Sequence, residues 1–189
     1  MLGPLHDVRV LDLTGVVSGP FGAMWLADQG ADVIKIEPPS GGDQGRYVGA
    51  GFLGYSALFA TCNRNKRSIA LNLATPEGLE VAMELAARAD VVLENFRPGV
   101  AERLGLGYTA VRARNPQVVY ASISGYGPDG PYAGRKTYDS IVQASATRSP
   151  ASPPPRRSPR RSIPAPRGGA GSRSGSRCWR PRWPSTGPT

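Results

Sequence analysis

Several groups of residues in this 189-residue chain are of types that bind or transform ligands. Asn63-Arg64-Asn65-Lys66-Arg67-Ser68 sets three cations and two amides just ahead of an apolar run. Such a cluster suits a phosphate or nucleotide, and it equally describes a solvated basic turn. Arg97 and Arg103, beside Phe96, offer guanidinium groups and an aromatic face, a pairing suited to a phosphate and an adenine ring. With Glu102 nearby, the same residues also describe an ordinary surface helix. Glu37 closes a β-branched run about twenty residues after a glycine-containing turn, as does the acid that holds the ribose in dinucleotide-binding folds. The turn argues against that reading, because it runs Gly15-x-x-x-Gly19-x-x-Gly22 and puts Pro20 where a phosphate-cradling N–H is needed. Gly41, Gly42 and Gly45 lead into no helix and no Lys-Ser/Thr pair, so their spacing excludes a P-loop.

Other chemistries are set aside by count. His6 is the single histidine and reads as a surface residue before the first strand, so it has no partner for Ser-His chemistry. Cys62 and Cys178 are too few and too far apart for a disulfide framework or a zinc site. No metal is expected.

The elements that must position these residues follow from periodicity. Residues 8–13 form a β-branched run leading into the glycine turn, and residues 21–30 carry apolar side chains at helical spacing up to a glycine stop. Residues 32–37 read as a second strand closed by Pro38-Pro39. A further strand is predicted over 68–73, then a helix capped by Thr75 with Pro76 at its first position. Residues 89–94 and 118–123 complete the strands, with short helices over 98–104 and 108–114. Strands alternating with helices predict an α/β fold, a Rossmann-like parallel sheet with flanking helices, and ligands at the carboxyl ends of its strands. The loops after those ends, 15–20, 37–43 and 95–99, therefore converge.

The formal net charge of +9 suggests nucleic acid until the chain is divided. Residues 146–189 hold ten arginines, ten of the 19 prolines and no acid, whereas residues 1–145 hold 13 bases against all 14 acids. The expected organisation is thus a folded body, 1–145, and an Arg/Pro/Ser-rich tail, 146–189, that is disordered. A body of that size buries about two-thirds of its unfolded surface, enough for one core or for half of a larger domain. No stretch approaches the ~20 apolar residues of a membrane span, and the N-terminus lacks the pattern of a secretion signal, so the chain reads as cytoplasmic with no membrane partner.

Taken in order, the segments resemble a known family. They are Val10-Leu11-Asp12-Leu13, Gly19-Pro20, Gly30-Ala31-Asp32-Val33-Ile34-Lys35-Ile36-Glu37-Pro38-Pro39, Gly42-Asp43, Asn63 to Ser68, Thr75-Pro76-Glu77-Gly78, Asp90-Val91-Val92-Leu93-Glu94-Asn95-Phe96-Arg97-Pro98-Gly99 and Asn115-Pro116. The series is similar to the family III CoA-transferases, the CaiB/BaiF type, from residue 4 to residue 143. The resemblance implies the N-terminal part of that fold. It also implies a substrate, coenzyme A or acyl-CoA, whose CoA is moved to a free carboxylic acid by an interlocked homodimer. In such enzymes an aspartate attacks the acyl-CoA carbonyl to give a mixed anhydride, and the released thiolate converts this to an aspartyl-CoA thioester.

Position by position, the resemblance implies that Val16, Val17 and Ser18 lie beside the pantetheine and thioester, with Val17 where some transferases have glutamine. Leu71, Asn72, Leu73 and Ala74, with Asn95, Phe96 and Arg97, line the adenine and ribose, and Arg103 lies near the phosphates. Lys136, Thr137, Tyr138 and Asp139 match a further CoA-contacting segment. Pro38 stands where relatives carry an arginine for the nucleotide.

The resemblance stops after Gln143-Ala144-Ser145. The last acid in the sequence is Asp139, so no carboxylate stands at the family's nucleophile position and the chain as given is expected to be inactive. An Arg/Pro/Ser/Gly mixture is what a GC-rich gene yields out of phase. Read one base earlier with permitted third bases, residues 177–188 become Met-Leu-Glu-Ala-Thr-Val-Ala-Phe-Asp-Trp-Pro, similar to the family downstream of its active site. The missing nucleophile is then expected near codon 163 in the other frame. The racemase branch of the family stays open, as does a non-catalytic CoA-binding remnant whose basic tail, with Trp179 and Trp183, binds nucleic acid; nucleic acid is the less expected partner.

Overall fold

The computed structural model describes residues 3–52, 55–127, 129–135 and 137–138. The chain divides into a unit spanning Met1–Thr137 and a second spanning Tyr138–Thr189. Of the second only Tyr138 is described, so the expected boundary after residue 145 and the disordered tail lie outside the described residues. Among the described residues the first unit has seven strands and five helices: β1 Arg9–Asp12, α1 Ser18–Asp28, β2 Asp32–Glu37, β3 Gly51–Phe52, β4 Tyr55–Ser56, α2 Ala57–Asn63, β5 Lys66–Ala70, α3 Pro76–Ala87, β6 Val91–Glu94, α4 Val100–Arg103, α5 Tyr108–Arg114 and β7 Val119–Ser122. A 3-10 turn, Gln44–Tyr47, separates β2 from the β3–β4 hairpin.

Five strands make one parallel sheet in the order β5-β2-β1-β6-β7. The chain lays β2 and β5 on one side of β1, then returns to lay β6 and β7 on the other. Strand order therefore reverses between β1 and β6, and the loops leaving those two strands open a crevice at the carboxyl edge.

Helices pack on both faces of the sheet, and its central strands put apolar side chains on each face. Val10, Val33 and Leu93 turn toward α1 and meet Ala23 and Ala27. Leu11, Ile36 and Val92 turn to the other face and meet Ala82, Met83, Ala86 and Val111 of α3 and α5. Helix α1 lies close to the sheet because Gly19 has no side chain; a Cβ there would fall 2.3 Å from Thr14 Cβ.

The structure departs from the sequence expectation in three places. Helix α1 begins at Ser18, three residues early, since Pro20 sits in the first turn, where its missing N–H leaves no bond unmade. Strand β5 spans Lys66–Ala70 and not 68–73, because pairing with β2 ends where β2 ends, at Glu37↔Ala70, and the chain then turns at Asn72. The hairpin and α2 were not anticipated; α2 is capped by Ser56, whose Oγ accepts from Phe59 N at 3.2 Å. By contrast, the Thr75 cap on α3 is present, accepting from Gly78 N at 3.2 Å. Among the described residues, no helix is long and apolar enough to cross a membrane.

Candidate functional site

The carboxyl edge is built on charges that the apolar strands carry inward. Asp12 ends β1, Lys35 and Glu37 alternate along β2, and Lys66 opens β5; pairing aligns Asp12 with Lys35, and Val33 with Lys66. These positions all point to the α1 face, and the side chains of Asp12, Lys35, Glu37 and Lys66 are 0–3% exposed. Buried charges must be paired. Lys66 Nζ donates to Asp12 Oδ2, Pro20 O and Asn63 Oδ1, each at 2.8 Å. Lys35 Nζ donates to Thr14 O at 2.5 Å and stands 2.9 Å from Asp43 Oδ2, an ion pair outside hydrogen-bond angles. Asp12 Oδ1 accepts from both N and Oγ1 of Thr14, at 2.9 and 2.5 Å.

The basic segment ahead of β5 is thereby explained without a ligand. Arg64 pairs with Asp28, Arg67 with Asp32, and Lys66 is internal. Each of the three cations of residues 63–68 has a partner within the chain and Lys66 is buried, which favours the basic-turn reading over the phosphate grip. Sequence reasoning missed the structural role of Lys35 and Asp12, although a charge inside a two-sided apolar strand is itself a signal.

Next to this network, the carboxylate of Glu37 receives Arg46 Nε and Nη2 at 2.7 and 2.8 Å, Ser68 Oγ at 2.5 Å and the Asp43 amide at 2.9 Å. Burial would raise Glu37, but these donors and the Arg46 charge outweigh it and hold the carboxyl down at about 2. The Arg46 guanidinium also stacks on Phe59 at 3.9 Å. Asp43 is held below its ordinary value, against its burial, by the amides of Gly45 and Val16 and by Lys35. Lys66 is pushed down by burial, opposed by Asp12.

Val16 and Val17, on the loop after β1, and Ser18, the first residue of α1, are all exposed. Asn95, first residue after β6, closes the base of the crevice: Oδ1 accepts from Gly15 N and Nδ2 donates to Gly15 O, both at 2.9 Å. Its side-chain amide is therefore spent on the loop. Phe96 is half-buried against the α3–α5 core. Arg97 and Arg103 are exposed and have no partner among the described residues. Pro38 is exposed directly after β2, and in the turn after β5 Asn72 and Ala74 are exposed while Leu71 and Leu73 lean on the core. Thr137 packs on Gly125, in the loop after β7, where a Cβ would come within 2.1 Å of Thr137 Cγ2. Tyr138 is exposed, and Lys136 and Asp139 lie outside the described residues.

A strand-order reversal between β1 and β6, followed after β6 by exposed guanidiniums without partners among the described residues, suits a nucleotide-bearing anion. The family model for CoA-transferase family III matches residues 5–166. The chain belongs to the family III CoA-transferases. It is 47% identical over 142 residues to succinyl-CoA:glutarate CoA-transferase of Mus musculus, which covers 75% of this chain and 33% of that protein. It is 46% identical over 159 residues to acetyl-CoA:oxalate CoA-transferase of Acetobacter aceti, covering 82% of this chain and 41% of that protein. The crystal structure of a CaiB/BaiF family protein from Brucella suis superposes with a TM-score of 0.74 at 40% identity, over 87% of this chain and 44% of that one. This CoA-transferase chain thus spans well under half the length of the relatives it matches.

Proposed function

We propose that this chain supplies the CoA-binding half-site of an enzyme that moves CoA from an acyl-CoA to a dicarboxylic acid. The observation that carries the reading is the pair Arg97 and Arg103, exposed after β6 and without a partner among the described residues, whereas Lys35 and Lys66 are internally paired. Guanidiniums without protein partners suit the phosphates of CoA, and the half-buried Phe96 backs an adenine ring. The two curated relatives named above act on glutarate and oxalate, both dicarboxylates, which supports that acid class and the transferase branch over the racemase branch.

In this reading Val16, Val17 and Ser18 flank the thioester, Leu71 to Ala74 and Asn95 to Arg97 line the nucleoside, and Lys136 to Asp139 complete the grip. An aspartate carboxylate attacks the acyl-CoA carbonyl, expelling CoA thiolate and leaving a mixed anhydride. The thiolate then attacks the aspartyl carbonyl, releasing the acid and forming the aspartyl-CoA thioester from which CoA passes to the acceptor. Asp139 is the last carboxylate in the sequence, so no candidate nucleophile follows it here; in this reading a shifted frame within residues 146–189 accounts for that, although the family match itself runs to residue 166. The whole protein works as a cytoplasmic homodimer.

Titration of the 189-residue chain with CoA tests the half-site. Arg97→Ala and Arg103→Ala should each weaken binding about tenfold, with melting temperature unchanged. Full affinity in the double variant removes the assignment. Resequencing through codons 138 to beyond 189 tests the frame: a single-base change that restores an open frame with an aspartate supports it, and an intact recorded frame with a broken alternative refutes it.

A further inference from the structure

The loop after β1 contains a backbone conformation that its own residue disfavours. Val16 has φ 69°, in the left-handed region. A β-branched side chain there is a true outlier, and such strain persists only where the surroundings over-determine it. Packing of the valine does not supply that, since Val16 is 38% exposed. Hydrogen bonds do. Asp43 Oδ1 accepts from Val16 N at 2.9 Å, and Asn95 holds both N and O of Gly15. The residue before these is fixed as well, with Thr14 N on Asp12 and Thr14 O on Lys35.

Asp43 is itself gripped from every side. The same Oδ1 accepts from Gly45 N at 2.8 Å, Oδ2 faces Lys35 at 2.9 Å, and its own amide donates to Glu37 at 2.9 Å. Glu37 is in turn locked by Arg46. The turn carrying Asp43 presses on the strained residue, for a Cβ on Gly45 would stand 3.1 Å from Val16 O. The segment after β2 is thus a jig for the loop after β1, 27 residues earlier.

We propose that Asp43 is a positioning residue that holds Val16 in its left-handed conformation and so sets the shape in which residues 16–18 meet the acyl-CoA thioester. This rests on the reading of that loop as a wall of the thioester site. Asp43 touches no reacting atom; it acts through the Val16 amide. The role predicts a coupling that a general stabilising role does not. An asparagine at position 16 adopts positive φ with little strain, so it should need Asp43 less.

The test is a double-mutant cycle in the 189-residue chain, with acetyl-CoA as the titrated probe and amide exchange at residues 15–18 as the second readout. Asp43→Ala, which removes the acceptor for Val16 N, should weaken acetyl-CoA binding about tenfold and speed exchange at Val16 and Val17, whereas in the Val16→Asn background the same change should cost less than about threefold. Equal losses in both backgrounds overturn the proposal. If the unmodified chain binds no acetyl-CoA, the thioester-wall reading fails by itself, and the exchange data judge the clamp: unaltered exchange in Asp43→Ala overturns it, and faster exchange confined to the Val16 background supports it. Should Asp43→Ala not fold, Asp43→Ser, whose hydroxyl is too short to reach the Val16 amide, enters the same cycle with the same outcomes.

Discussion

Two glutamates end two strands of one sheet, and they sit in opposite electrostatic circumstances. Glu37 closes β2 and Glu94 closes β6, with 3% and 5% of each residue exposed. Burial alone would raise both. Glu37 instead falls to about 2, because Arg46 grips it with two hydrogen bonds and a charge. Glu94 has only the hydroxyl of Ser122 and the amide of Phe96, so burial prevails, helped by Glu102, and its carboxyl is raised. The neighbouring Tyr120 is raised too, by burial and then by Glu94. The difference teaches that the charges around β1, β2 and β5 are neutralised within the chain, whereas Arg97 and Arg103 after β6 have no partner among the described residues.

The hardest blow to this contrast is Lys66→Met. It strands Asp12 as a buried carboxylate without its closest cation and frees Pro20 O. We expect a loss of about 3–5 kcal/mol, read as a lower urea midpoint. A midpoint within error of the parent would show that the network is dispensable.

Glu37→Gln comes next. The folded carboxyl lies near 2 against an ordinary 4.5, a difference of about 3 kcal/mol in favour of the folded state. Because the folded value is depressed, this contribution is present in full above pH 4.5 and disappears as the pH falls through about 2. Thermal melts should therefore separate parent and variant at pH 7 and converge near pH 2. Parallel curves across that window would contradict the pairing.

Glu94→Gln is the smallest and has the opposite sign. A raised folded value means the ionised carboxylate costs stability at neutral pH, a cost removed by acid. The amide keeps an acceptor for Phe96 N, so the variant should be neutral to stabilising by up to about 1 kcal/mol at pH 7. A clear drop in melting temperature would place Glu94 beside Glu37 and erase the comparison.

Much of the scaffold was legible beforehand. The β-branched runs over 8–13, 32–37 and 89–94 contain strands β1, β2 and β6, and Thr75-Pro76 opened a helix, because period and capping are local properties of the chain. The convergence of three loops followed once the sheet was parallel. Strand limits were less legible: β5 stops at Ala70 because its partner stops at Glu37, a fact about β2 and not about residues 66–73.

The site divides in the same way. By itself the sequence determined the order of strands and helices and the loops that follow the strands, since period and capping require nothing distant. It also determined that Arg97 and Arg103 accompany Phe96. Only the tertiary structure decided how the charges are used. Lys66 meets Asp12 across 54 positions, Ser68 meets Glu37 across 31, and Asn95 meets Gly15 across 80. A charged side chain looks alike in sequence whether it awaits a ligand or a buried partner; only the folded chain, by excluding water, makes the partner obligatory. For that reason Lys66 turned inward onto Asp12; Arg64 and Arg67 pair at the surface with Asp28 and Asp32, and Arg97 and Arg103 have no partner among the described residues.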